Sequence, residues 1–187
     1  MKRLKLLVAL MAAAGILLGG CATSGAATTG AGSTASSVTA GKGGPTDSAL
    51  MVCGEEPASS ITQILGLDKS PHKVHTWANK LYTCTYHLPM GEFVLSVKES
   101  ADDAAAIAYF NDLQTKLAPT TPIEGLANLG FPAYNTTAGA TVFVKDNMTL
   151  QVDASKLPAT LGPHNISRND LSYQVATVIL ACWKEHQ

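Results

Sequence analysis

The side chains that could carry chemistry in this 187-residue chain fall into a few groups, and each must be weighed against its surroundings. His72 and His75 stand three apart, a spacing at which two imidazoles on one helical turn could grip a metal ion, but no carboxylate follows Asp68 in their segment. They read as solvated histidines in a connecting stretch, and His87 as a surface histidine. Glu55 with Glu56, and Asp102 with Asp103, are paired carboxylates of the sort used for acid and base catalysis. Both pairs fall in the first turn of an expected helix, where negative charge stabilises the macrodipole by about 0.3–1 kcal/mol, so they read as helix starts. Gly125 and Gly130 have the outer spacing of a phosphate loop but lack the following Lys and Ser or Thr, and no G-x-S-x-G marks a serine nucleophile. Cys53, Cys84 and Cys182 show neither the C-x-x-C spacing of a redox site nor, with the histidines, a common zinc pattern. The expectation is no catalytic residue, no metal and no cofactor.

Cys21 is different. Lys2, Arg3 and Lys5 precede an apolar run from Leu6 to Leu18, and 13 residues suit an export signal better than the roughly 20 that a spanning helix needs. The run ends Leu18-Gly19-Gly20-Cys21, which resembles the lipobox of bacterial lipoproteins. That resemblance implies that Cys21 receives a diacylglyceryl group, becomes the N-terminus after cleavage of residues 1–20, and anchors the protein on the extracytoplasmic face of the cell membrane. Each buried CH2 contributes about 0.8 kcal/mol, and two acyl chains are what stable anchoring requires.

Residues 22–47 consist of Ala, Gly, Ser and Thr with little else, too few apolar groups to offset their ordering entropy. With Cys21 they make a flexible linker, 21–47, whose mean reach as a coil is about 30 Å and whose stretched limit is roughly 90 Å. Residues 48–187 form a single domain of ordinary composition. Without the signal the chain keeps ten basic residues against fourteen acidic ones, a net charge of -4. Neither nucleic acid nor anionic headgroups would be drawn to that surface by charge.

The periodicities of the body predict an α+β fold in the order α-β-β-α-β-β-α. Ile61, Ile64 and Leu65 make the apolar stripe of a helix over 55–65 that Gly66 stops. Alternation over 80–88 and again through Phe93, Leu95 and Val97, with Pro89-Met90-Gly91 between, predicts a hairpin. Ser100 and Asp103 resemble a capping box, opening a helix through Ala106, Phe110, Leu113 and Leu117 that ends before Pro119. The stretch 120–135 reads as loop. A second hairpin pairs 141–145 with 148–153 through Asp146-Asn147, and Ser167 with Asp170 opens a closing helix carrying Leu171, Val175, Val178, Ile179 and Cys182. Strands that come in adjacent pairs favour one antiparallel sheet, with about three helices on one of its faces.

Once Cys21 is set aside, three cysteines remain in an oxidising compartment, where at most one bridge can form among them. Cys53 ahead of the first helix and Cys84 on the inward face of the first strand are the expected pair, with Cys53 to Cys182 as the alternative. A bridge over such a loop contributes about 3–3.5 kcal/mol in the chain-entropy model. Leu126, Leu129, Phe131 and Tyr134 lie in the irregular stretch, where large apolar side chains must either fold onto the sheet or form a ligand or partner surface.

Cys53 opening a helix, Cys84-Thr85-Tyr86, Phe93 to Lys98, Tyr109-Phe110, and Lys145-Asp146-Asn147 ahead of Leu150-Gln151-Val152-Asp153 together resemble small actinobacterial cell-envelope lipoproteins of unknown function. The resemblance covers roughly residues 51–183, implies a curved antiparallel sheet packed by helices, and brings no catalytic residues. The functional expectation is a membrane-tethered, non-enzymatic module that binds an envelope protein, a wall polymer or an apolar ligand. An envelope hydrolase whose dispersed site meets only in space is the alternative.

Overall fold

A computed structural model describes residues 43–127 and 131–185. The export signal, Cys21 and linker residues 22–42 lie outside the described residues. Along the chain, α1 (Asp47–Leu50) and a 3-10 turn (Met51–Cys53) lead into α2 (Glu55–Leu65). Three strands follow, β1 (His72–Ala78), β2 (Leu81–Leu88) and β3 (Gly91–Glu99), and then α3 (Asp103–Lys116). After β4 (Thr120–Pro122) and α4 (Glu124–Ala127) come β5 (Ala133–Thr136), β6 (Ala140–Lys145) and β7 (Met148–Asp153). Two short strands, β8 (Thr160–Leu161) and β9 (Ile166–Ser167), pair with each other just before α5 (Arg168–Glu185).

The fold is α+β. Strands β1 to β7 form one sheet in the order β1-β2-β3-β7-β6-β5-β4, antiparallel throughout. The two expected hairpins supply its centre. At the β2–β3 turn Gly91 adopts φ 145°, and a Cβ there would meet the Lys156 carbonyl oxygen at 2.6 Å, so both backbone and space require glycine. Asp146 takes φ 53° in the β6–β7 turn, a conformation that aspartate tolerates.

Five strands escape the sequence reading, the short β8 and β9 and three of the main sheet. β1 forms one edge of the sheet and leaves five of its seven residues exposed, so its hydropathy does not alternate. β4 and β5 were expected as loop. β4 is the other edge and contains Pro122, which only an edge or a strand end accepts, while β5 is four residues long.

Helices cover both faces, not one. On the first face α2, α5 and the 3-10 turn bury Ile61, Leu65, Val175, Ile179 and Trp183 against Phe93, Leu95, Phe143 and Leu150. The Trp183 ring meets Phe143 edge-on at 5.6 Å, and its indole N–H donates to the Ser48 carbonyl. On the second face α3 packs Ala106 and Phe110 onto Tyr134, Val142 and Val144. The reason lies in β6, whose six residues are all buried: Phe143 faces α5, and Val142 and Val144 face α3. A strand apolar on both sides needs a layer on each.

Capping agrees in one place and differs in another. At α5 the box is complete: Ser167 Oγ accepts from the Asp170 N–H at 3.0 Å, and Asp170 Oδ2 accepts from the Ser167 N–H at 3.3 Å. At α3 the cap is Asp102, whose Oδ1 accepts from the Ala105 N–H at 2.8 Å, and not Ser100. The N–H of Ser100 is held by the Asn147 carbonyl instead.

Cys53 is bonded to Cys84, with their Cα atoms 5.4 Å apart, which fastens the start of α2 to the middle of β2. Cys182 is buried on α5. Ahead of α1 the chain is tied to the body: the Gly43 carbonyl accepts from the Trp77 indole, and the Thr46 N–H donates to Glu99 Oε1 at 2.7 Å. Among the described residues no helix is long and apolar enough to cross a membrane.

Candidate functional site

α3 sits over β6 and β7, and among the described residues no helix packs on the part of the second face formed by β1, β2 and β3. Register arranges its outward side chains in four rows. At one end His72, His87 and Glu92 lie side by side. The next row is Val74, Thr85, Val94 and Asp153, followed by Thr76, Thr83, Ser96 and Gln151. Ala78, Leu81, Lys98 and Thr149 close the far end.

Strands lie about 4.8 Å apart and rows about 6.6 Å apart, so the hydroxyl and carboxamide groups form a regular grid. All of these side chains are half-exposed or exposed except Thr149, and Val74 reaches 43% exposure. The two middle rows carry a single ionisable group, Asp153 at their β7 end, whose Oδ1 accepts from the Ser155 N–H at 2.8 Å. Lys98 borders these rows next to α3, with its ammonium 5.9 Å from the centre of the Tyr109 ring. At the opposite end Lys156 pairs with Glu92 and holds its carboxyl below the usual carboxylate range, chiefly through their hydrogen bond.

The inward side of the same strands differs in every respect. Tyr86 donates to the Val52 carbonyl at 2.8 Å, and burial, followed by the charge of Glu55, pushes its phenol well above the ordinary range. Lys73 reaches across from β1 to Glu55 and the Gly54 carbonyl. Thr141 Oγ1 lies 2.7 Å from Asn135 Oδ1 and 2.8 Å from Ser172 Oγ, joining the sheet to α5.

The histidines are redistributed. His72 and His75 belong to β1, not to a connecting loop, and their odd spacing sends them to opposite faces. His75 lies beside Tyr82 on the inward side, 5.6 Å between ring centres, while His72 stacks on His87 at 5.5 Å with 29° between planes. That pair also lines a cleft of about 490 Å³ between the α2–β1 connection and the β2–β3 turn, together with Asp68, Lys69 and Pro89.

Of the two places open to the apolar side chains of the irregular stretch, Tyr134 takes the sheet: it is 1% exposed, its ring lies 4.8 Å from Phe110, and it belongs to the core under α3 because β5 points it there. Burial raises its phenol as well. Leu126 falls in α4, and Leu129 lies outside the described residues. Phe131 is half-buried and lines a hollow of about 210 Å³ with Pro132, Val144, Lys145 and Asp146. The Lys145 side chain is only 4% exposed, paired with Asp146, and its ammonium stands 5.7 Å from the Phe131 ring centre.

The paired carboxylates do sit in helix first turns, Glu55 and Glu56 in α2 and Asp103 in α3 directly after its cap Asp102. Among the described residues no trio of His, Cys, Asp or Glu side chains is placed to hold a metal ion. No family model matches the chain, and neither a curated protein nor a solved structure matches it.

Proposed function

We propose that this chain is a lipid-anchored extracytoplasmic protein of the cell envelope whose disulfide-bonded body binds a polar, extended partner on the open half of its sheet. The partner chemistry that fits is a hydroxyl- and amide-rich strand, as in a wall polymer. The observation that carries the reading is the set of hydroxyl and carboxamide groups of Thr76, Thr83, Thr85, Ser96 and Gln151, on which no helix packs among the described residues, while the reverse side of β2 and β3 is buried. Regularly spaced donors and acceptors suit a repeating polar chain better than an apolar ligand. The Cys53–Cys84 bond supports an oxidising location, and the lipobox resemblance at Cys21 supplies the anchor. The likeness to small actinobacterial envelope lipoproteins belongs to the same proposal.

Two experiments test it. Cys21→Ala should move the protein from the membrane fraction to the soluble fraction, and unchanged membrane association would remove the lipid from the account. Purified wall polymer should sediment the full-length protein but not Thr85→Glu/Ser96→Glu, since a carboxylate set among paired hydroxyls is desolvated without a partner. Equal sedimentation of both proteins would reject the binding face.

A further inference from the structure

We infer that His72 and His87 form a binding site for a late first-row divalent cation such as Zn2+, Cu2+ or Ni2+ at the end of the open face. The inference does not depend on the binding proposed above. β1 and β2 put the two residues directly opposite one another, and cross-strand neighbours have Cβ atoms about 4.5–5.5 Å apart. Both side chains are exposed and their rings already face each other at 5.5 Å. A tetrahedral ion with bonds of about 2.0–2.1 Å needs its two ligand nitrogens about 3.3 Å apart, a separation that small rotations of two exposed, stacked rings can reach. Imidazole selects zinc, copper and nickel over calcium and magnesium.

The surroundings set the character of the site. Glu92 is next in the row, but Lys156 occupies its carboxylate, so it does not compete as a ligand. Asp68 lines the same cleft as the two histidines without completing a three-ligand cluster. The ion would therefore keep open positions for water or for a donor from whatever enters the cleft, and it would exchange readily. His75 faces the other side of β1 and serves as an internal control.

The test uses the full-length protein without a polyhistidine tag, titrated with Zn2+ by calorimetry and with Cu2+ by the broadening of histidine ring signals in NMR spectra. One Zn2+ per chain is expected. His72→Ala and His87→Ala should each weaken it by about tenfold or more, as loss of a direct ligand must exceed the effect of losing an outer one. His75→Ala should leave the affinity unchanged, and Cu2+ should broaden His72 and His87 before the other three of the chain's five histidines. All three variants should keep the wild-type circular dichroism spectrum. Wild-type affinity in both His72→Ala and His87→Ala, or uniform broadening of all histidines, would overturn the site.

Discussion

β2 and β3 present two faces to two different environments. Inward, Tyr82, Cys84, Tyr86, Phe93, Leu95 and Val97 are all buried on the side where α1 and the 3-10 turn meet these strands, and outward, Thr83, Thr85, Val94 and Ser96 remain half-exposed. One pair of strands thus divides the labour of the molecule. The covered side holds the fold together, which leaves the outward positions little stability to defend. Their hydroxyl-rich composition is then a matter of what they touch outside.

The contrast is open to attack from either side, starting with the most severe change. Phe143→Ala, which empties a fully buried site against Trp183, should destabilise the fold by about 3–5 kcal/mol in urea titrations, whereas Val94→Ala on the open side should cost well under half of that. Comparable losses would mean that the outward face is packed after all. Replacing Cys53 and Cys84 together by Ala should remove about 3–4 kcal/mol, read as a lowered urea midpoint that no longer responds to reductant. Thr141→Val removes the donor to the Asn135 carboxamide oxygen and the contact with Ser172, whose hydroxyl keeps its bond to the Asn169 carbonyl, and should cost about 1–3 kcal/mol.

A gentler probe uses pH. Burial raises the phenols of Tyr86 and Tyr134 above the unfolded value of 10.0, so the neutral form is favoured in the folded state. The stability this contributes is complete below pH 10 and declines as pH rises beyond it. Tyr86→Phe should flatten that alkaline decline, measured by urea titration at successive pH values. A decline of unchanged steepness would place the titration elsewhere. The smallest effect belongs to the open face: Thr85→Glu should alter stability by no more than about 0.5 kcal/mol.

Much of this architecture can be read along the chain. The α2 stripe, both hairpins and the closing helix rest on strong local periodicity, and Ser167 with Asp170 signals its own helix start. The Cys53–Cys84 bond is the expected pair of the two that the sequence leaves open, one cysteine before a helix and the other on an inward strand position. The edges do not announce themselves, because exposed β1 and proline-bearing β4 lack alternation. Nor does the open face. Thr83, Thr85 and Ser96 are legible as outward residues, but whether a helix covers them depends on where α3 lands, and that is decided by β6, fifty residues away in sequence. The meeting of His72 with His87 is likewise a product of register, invisible while β1 reads as a connection. Tyr134 is the converse case: its irregular flanks hide a short strand that buries it.

The most direct test of the account is photo-crosslinking in living cells of the protein's own host. A benzophenone amino acid placed at Thr85 should yield a discrete adduct with an envelope component, while the same group at Ser59, exposed on the solvent side of α2, should yield none. Adducts from Ser59 alone, or from neither position, would contradict a binding role for the uncovered half of the sheet.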